Sequence, residues 1–496
     1  MSEIRVTYSG LISLIIGIGT VGIGAISTII ITRSLSPEEF GTWGMIYGLI
    51  NYVIFSETLI SYWTTREIAR EEKSGKTAII SSGSFSILGI FAYIFVVFIL
   101  SPSINTDYTI LFYGFVLIPV IFLHKTLISI NLGWKPQNVS YGLLTFSLSQ
   151  VPMAYLFIHY LDMGVTGVIT TVFISYAIAN VSLFILGIKK IKERFQIRYI
   201  KKWIKFSWIS LISIIVSIVA TLDIIIFPLV VGSVEGLSFW YATIAVTVII
   251  SQSSAISKAA YAKILHGKDN EFLGDNLTYL FYFAILFTVI TISFAQPALF
   301  ILNPVYVVGV AIIILISLQL FFNSFGGVFH HAITGTEKVD MFENNPKFKN
   351  FVKSELFKVP IIILIQYLLR TSILIVVLVA MLDTSSQVEL VIYWALITLL
   401  TEIPFTVFFY TIVKKRINIK LDHKAIGTYF IVGAIIFCVL HFSIDEYINY
   451  EQEFIGFFIH IFLIVCLTII SYVGITYVID SRTRNLIKSI LKEIKK

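Results

Sequence analysis

The chain of 496 residues is 57% hydrophobic and only 13% charged, and its mean hydropathy is +0.90. This apolar content excludes a water-soluble domain, because no soluble core can cover so much apolar surface. The net charge of +7 does not indicate nucleic-acid binding, since the basic residues lie between apolar runs, where they suit an anionic inner leaflet. The sequence predicts a polytopic membrane protein.

Fourteen apolar runs are long enough to cross a bilayer, which takes roughly 20 residues per helix. They cover residues 9–33, 40–62, 77–100, 108–131, 138–160, 164–188, 204–230, 236–257, 277–301, 304–329, 358–382, 388–412, 425–443 and 454–479. The first run is too long for a signal peptide and has no small-residue cleavage site. The predicted fold class is an all-α membrane protein with fourteen transmembrane helices.

The basic residues predict the orientation, because Lys and Arg concentrate in cytoplasmic loops. If the N-terminus is inside, all 36 Lys and Arg residues except Arg33 and Arg370 fall on the inner side or at inner helix ends. The outer loops hold carboxylates instead, among them Glu38 and Glu39. A missed or extra helix would scramble this asymmetry. We therefore predict a multi-pass protein of the plasma membrane with both termini in the cytoplasm.

The chain also predicts an internal repeat. A shift of 197 residues lays the first hairpin on a second one, so that Glu38 falls on Glu235 and Trp43 on Trp240. Chance similarity among apolar runs is the alternative. A six-helix unit returns the chain to its starting side, so two such units would repeat in parallel about an axis along the membrane normal.

These features predict five segments. They are an N-lobe of six helices (1–188), a basic cytoplasmic linker, which we expect to be an amphipathic helix (189–203), a C-lobe of six helices (204–412), two extra helices (413–479) and a basic cytoplasmic tail (480–496). The outer loops are all short. This excludes an extracellular catalytic domain and disfavours a membrane glycosyltransferase or polysaccharide ligase.

The two hairpins carry motifs of a known family. Three stretches resemble the polysaccharide-type flippases, which move O-antigen and other lipid-linked oligosaccharides. They are the first tip Leu35-Ser-Pro-Glu-Glu-Phe-Gly41, the later Arg66-Glu-Ile-Ala-Arg70, and Asp223 leading into Gly232-Ser-Val-Glu-Gly236. That family belongs to the multidrug/oligosaccharidyl-lipid/polysaccharide (MOP) exporter superfamily. The resemblance implies a V-shaped bundle that works by alternating access, often with an ion gradient.

The helix count refines what the resemblance implies. Drug exporters of the superfamily typically have twelve helices, so two further helices favour a lipid-linked substrate. In muropeptide-precursor flippases the extra pair forms a groove for the lipid tail, which implies the same use here. The family often carries several cations in the cleft, whereas here only Arg370 is predicted at mid-depth.

Arg370 is the first candidate for substrate binding. It lies near the centre of the eleventh run, where an ionisable side chain costs about 2.5 to 3.5 kcal/mol and usually faces a cavity or a partner. A guanidinium there could bind a substrate phosphate bidentately without losing its proton. The alternative, which does not exclude the first, is a buried ion pair with Asp223 or Glu402.

Three carboxylates within the spans are candidates for ion coupling: Asp223, Glu57 and Glu402. A desolvated carboxylate binds a proton or wants a counter-ion, so each could take a coupling H⁺ or Na⁺. Hydrogen bonding to a neighbouring helix is the alternative. We predict no other cofactor and no metal site, because no cysteine cluster or metal-binding motif is present.

Five further cations lie toward helix ends and are weaker candidates for binding a pyrophosphate. They are Arg33, Arg66, Lys125, Lys258 and Lys263. Arg33 could instead extend to the outer interface, and the other four could simply be positive-inside anchors.

The sequence thus predicts a flippase, without catalytic residues, that moves a polyprenyl-(pyro)phosphate-linked oligosaccharide to the outer leaflet for cell-surface glycan synthesis. Its partners would be the lipid-linked oligosaccharide, membrane lipid and glycan polymerase or ligase machinery, and no nucleic acid. The alternative is an ion-coupled drug or metabolite antiporter on the same scaffold.

Overall fold

The structure is a computed structural model that describes residues 3–104, 107–254, 270–335, 352–417, 421–448, 450 and 453–494. Within these ranges the chain is helical and contains no strand. The helices of the first part are α1 (Glu3–Ser34), α2 (Pro37–Ile54), α3 (Thr58–Ala69), α4 (Gly75–Leu100), α5 (Tyr108–Tyr113), α6 (Leu117–Trp134), α7 (Gln137–Ala154) and α8 (Gly164–Ile191).

Short helical turns extend several of these helices. The 3-10 turn Phe55–Glu57 joins α2 to α3, the 3-10 turn Gly114–Val116 joins α5 to α6, and the π-helical turn Tyr155–Tyr160 prolongs α7. Each of these three combinations therefore forms one continuous membrane-crossing element.

The later helices follow the same pattern of long apolar elements. They are α9 (Ile197–Lys205), α10 (Trp208–Ala220), α11 (Asp223–Val231), α12 (Glu235–Ser251), α13 (Asn270–Ser293), α14 (Ala295–Leu302), α15 (Val310–Gly335), α16 (Glu355–Met381), α17 (Gln387–Ile417), α18 (His423–Tyr447), α19 (Phe454–Ile479) and α20 (Ser481–Ile494).

The helices match the predicted spans. In the described residues, thirteen elements are long and apolar enough to cross a membrane, and they coincide with the second to fourteenth predicted runs. The first run falls within α1, which has 32 residues. The predicted all-α fold class is confirmed, and the chain is a multi-pass membrane protein.

Contacts divide the chain into two compact units, which we describe separately. The first comprises Met1–Tyr241 and Pro360–Val391, and the second comprises Ala242–Val359 and Ile392–Lys496. The predicted lobes, their parallel repeat and the cytoplasmic position of the termini stay predictions.

The tip of the first hairpin is a helix start. The side chain of Ser36 accepts a bond from the amide of Glu39 at 3.2 Å, and the carboxylate of Glu39 accepts one from the amide of Ser36 at 2.9 Å. Pro37 occupies the first turn, where its missing N–H costs nothing. This capping box explains why the tip motif ends one helix and starts the next.

The linker helix α9 packs on the C-terminal end of α3, opposite the tip of this hairpin. Glu67, which is 2% exposed, accepts bonds from Nζ of Lys202 at 3.0 Å and from Nε1 of Trp203 at 3.2 Å. The hydroxyl of Tyr199 donates to Glu72 at 2.7 Å. The buried rings of Tyr199 and Trp203 thus hold α9 against α3, while its other basic residues stay exposed.

Candidate functional site

The seventh predicted span is broken in its middle. α10 ends at Ala220 and α11 begins at Asp223, both inside the span Leu211–Val231. The amide of Ile224 donates to the carbonyl of Thr221 at 3.2 Å and to Oδ1 of Asp223 at 3.1 Å instead of continuing the i to i−4 ladder. The carbonyl of Ala220 therefore needs another donor, because no water can serve it in the hydrocarbon core.

Arg370 is that donor. It lies near the centre of α16 and is 7% exposed, and its Nη2 donates to the carbonyl of Ala220. The same nitrogen lies 3.0 Å from Oδ2 of Asp223, which is 4% exposed. The guanidinium carbon is also 4.9 Å from the ring centre of Tyr367. The sequence leaves two acidic partners open for Arg370, namely Asp223 and Glu402. In the structure, Asp223 forms the ion pair with it.

A second donor reaches the break from α2. The hydroxyl of Tyr52 donates to the carbonyl of Thr221. Gly41, Gly44 and Gly48 precede Tyr52 on one face of α2, at helical spacings of three and four residues. A Cβ on Gly48 would lie 2.6 Å from an α11 side chain, and Cβ atoms on the other two would overlap the backbone or a ring of the second hairpin. The glycines thus allow the close approach that brings Tyr52 to the break.

We call Tyr52, Ala220, Thr221, Asp223 and Arg370 the helix-break site. All five residues belong to the first unit. The site joins a buried cation, a buried anion and two main-chain carbonyls at the middle of one span.

Among the described residues, the buried donors without a hydrogen-bond partner include Nε of Arg370, within the helix-break site, and the hydroxyl of Tyr241 near it. The Tyr241 ring packs against Gly44, and its hydroxyl is close enough to Asp223 to interact electrostatically. Buried donors without a partner are rare in native structures. Both can donate to an oxygen acceptor such as a phosphate.

Glu57, another predicted coupling residue, lies in the 3-10 turn between α2 and α3 and is 1% exposed. Its Oε1 accepts a bond from Thr126 at 2.8 Å, and its other oxygen accepts one from Ser61. Lys125 is close enough to interact electrostatically. Within the described part of the chain, the carboxylate has hydroxyl donors but no ion pair.

Glu402 lies in the second unit and is 5% exposed. It accepts bonds from Nδ2 of Asn323 at 3.1 Å and from Nε2 of Gln319 at 3.5 Å. The three predicted coupling carboxylates are therefore all buried, but they have different donors: a guanidinium for Asp223, hydroxyls for Glu57 and amides for Glu402.

The structure describes three of the other predicted substrate-binding cations. Arg33 is exposed at the C-terminal end of α1, Lys125 is exposed on α6, and the guanidinium of Arg66 lies 4.0 Å from the ring centre of Tyr62. Lys258 and Lys263 lie outside the described residues. Substrate binding by any of these five stays a prediction.

Sequence reasoning missed Tyr52 and Tyr241. A tyrosine inside a transmembrane helix carries no signal by itself. The spacing of Gly41, Gly44, Gly48 and Tyr52 could have pointed to the close helix contact, because small residues at such spacings let transmembrane helices approach.

No protein-family model matches the chain, and no curated protein matches it either. Solved structures do match. The lipid II flippase MurJ in an inward closed conformation has a TM-score of 0.66 at 16% identity, covering 95% of this chain and 99% of MurJ. An inward-facing multidrug resistance MATE transporter of the MOP superfamily has a TM-score of 0.59 at 13% identity, covering 79% of this chain and 94% of its own.

A MOP superfamily transporter from Pyrococcus furiosus is also similar, with a TM-score of 0.55 at 13% identity over 84% of this chain and 96% of its own. The chain has the MOP transporter fold. The fold that the resemblance of the hairpin motifs implies is confirmed. In this fold, the break itself lies in the span that follows the linker helix α9.

The glycine contact on α2 gives a first test. Gly41→Ala would push a methyl group into the carbonyl of Val234, which is backbone and cannot rotate away, so we expect a loss of about 1 to 3 kcal/mol in stability. The measurement is thermal unfolding of the purified protein in detergent.

Gly83→Ala is the matched control. A Cβ on Gly83 in α4 has nothing within 4 Å, so this variant should keep or slightly raise the unfolding temperature. Equal unfolding temperatures for the two variants would contradict the close contact between the hairpins.

Proposed function

We propose that this protein is a flippase that moves a polyprenyl-(pyro)phosphate-linked oligosaccharide from the inner to the outer leaflet by alternating access. The observation that carries the proposal is Arg370, a buried guanidinium at mid-span with one N–H free of protein acceptors among the described residues. Arginine keeps its charge in every environment and matches the geometry of a phosphate oxygen pair.

The share of this chain that each structural relative covers favours a lipid-linked substrate over a small drug. The similarity to MurJ covers 95% of this chain, whereas the two other transporters cover 79% and 84%. The chain therefore shares more of its length with a protein named for flipping a lipid than with one named for multidrug resistance. We propose that α18 and α19 serve the lipid tail of the substrate.

We further propose that a buried carboxylate couples transport to an ion gradient. Glu57 is the first choice, because it is the most deeply buried of the three and its described hydrogen-bond donors are hydroxyls, so the charged form is costly. Such a group is stabilised by taking up a proton or a small cation. The antiporter function remains the second candidate, since MATE transporters share this scaffold.

The central variant is Arg370→Ala, measured as transfer of a polyprenyl-pyrophosphate oligosaccharide across proteoliposome membranes. A charge-assisted bond contributes about 1.5 to 3 kcal/mol, so we expect transfer to fall by about 10- to 100-fold. Arg370→Lys should recover only part of it, because an ammonium cannot bind bidentately.

Arg416→Ala is the control, because Arg416 is an exposed cation at the end of α17 that pairs with Glu355 at 3.0 Å. Exposed pairs contribute little, so this variant should transport normally. Normal transfer by folded Arg370→Ala would remove Arg370 from substrate binding. Export of small cations by the wild type, with no lipid transfer, would favour the antiporter.

Glu57→Gln tests coupling. The amide keeps the size and hydrogen bonds of a protonated carboxyl but cannot release a proton or hold a cation. We expect an imposed H⁺ or Na⁺ gradient to lose its stimulation of transfer, while transfer without a gradient continues. The matched control is Glu38→Gln, since Glu38 is exposed at the hairpin tip. A full response to both gradients in Glu57→Gln would exclude Glu57 as the coupling group.

A further inference from the structure

The oxygen atoms of the helix-break site are of the kind that bind a small monovalent cation. The carbonyls of Ala220 and Thr221 lie at the C-terminal end of α10, which carries the negative end of its helix dipole. The carboxylate of Asp223 begins the next half-helix. Broken transmembrane helices present carbonyls and carboxylates in this way to Na⁺ or H⁺ in transporters.

The guanidinium of Arg370 takes this position. Its Nη2 contacts both the Ala220 carbonyl and, at 3.0 Å, Oδ2 of Asp223. The Thr221 carbonyl accepts from Tyr52. The two carbonyls and the carboxylate therefore have donors that the chain itself provides.

We propose that Arg370 is a tethered cation that replaces a soluble monovalent cation at this helix break. Arginine does not deprotonate in proteins and cannot diffuse away, so the charge of Asp223 is balanced at any Na⁺ concentration or ordinary pH. Asp223 then positions Arg370 and keeps the broken helix neutral. It does not bind the coupling ion.

The pairing of Arg370 with Asp223 limits which carboxylate can bind a coupling ion. This step rests on the proposed function. If transport is ion-coupled, the coupling group must lie elsewhere. Glu57 and Glu402 remain, with hydroxyl and amide donors respectively. Ion binding can be measured through thermal stability, and this measurement does not depend on whether the substrate is a lipid-linked oligosaccharide.

The test is thermal unfolding of the purified full-length protein in NaCl and in choline chloride of equal ionic strength. Arg370→Ala should open the carbonyls and the carboxylate to Na⁺. We expect its Na⁺-specific rise in Tm to exceed that of the wild type by about 2 to 4 °C. Arg370→Lys, which keeps a tethered cation, should behave like the wild type.

The double variant Arg370→Ala/Asp223→Asn is the matched control, because it removes the carboxylate that would bind Na⁺. Its Na⁺-specific rise should return to the wild-type value. An equal rise in Arg370→Ala and the wild type, or a gain that persists in the double variant, would overturn the proposal.

If Arg370→Ala does not fold, Arg370→Gln serves in its place, since it keeps a donor of similar shape without charge. If neither folds, the comparison of wild type with Asp223→Asn decides. A Na⁺-specific rise in the wild type that Asp223→Asn abolishes would overturn the proposal. A wild-type rise that this variant leaves unchanged, or no rise at all, supports it.

Discussion

A helix that breaks inside a membrane leaves carbonyl groups that water cannot satisfy, and this constraint organises the first unit. The break between α10 and α11 frees the carbonyl of Ala220, and Arg370 reaches it from α16. The charge of Arg370 in turn requires Asp223. Tyr52 completes the arrangement, and it can do so because α2 approaches the second hairpin through its glycines. One backbone feature thus links three separate parts of the chain.

Such an arrangement does not maximise stability. Replacing a buried ion pair by apolar residues is often neutral or stabilising by about 1 to 4 kcal/mol, whereas removing one partner typically costs about 3 to 5 kcal/mol. A continuous apolar helix would need neither Arg370 nor Asp223. The proposed binding of a substrate phosphate would give the break and its charges a role that stability alone does not explain.

The sequence predicts local features well and distant contacts poorly. The spans follow from apolar composition, and the hairpin tip follows from Ser36, Pro37 and Glu39. Arg370 and Asp223 stand out because charged residues are rare in apolar runs. Their pairing depends on which helices are neighbours, and Glu402 is an equally rare carboxylate within an apolar run. The sequence identifies Glu67 only as part of a family motif, because its partners on α9 lie more than a hundred residues away.

The most direct measurement is mass spectrometry of the lipids that copurify in mild detergent with the wild type and with folded Arg370→Ala. The proposed flippase function predicts a polyprenyl phosphate or pyrophosphate carrying sugars on the wild type, and its depletion from the variant, because the mid-span guanidinium would bind the phosphate. Bulk phospholipid alone on the wild type, or equal retention of the glycolipid by both proteins, would contradict substrate binding by Arg370.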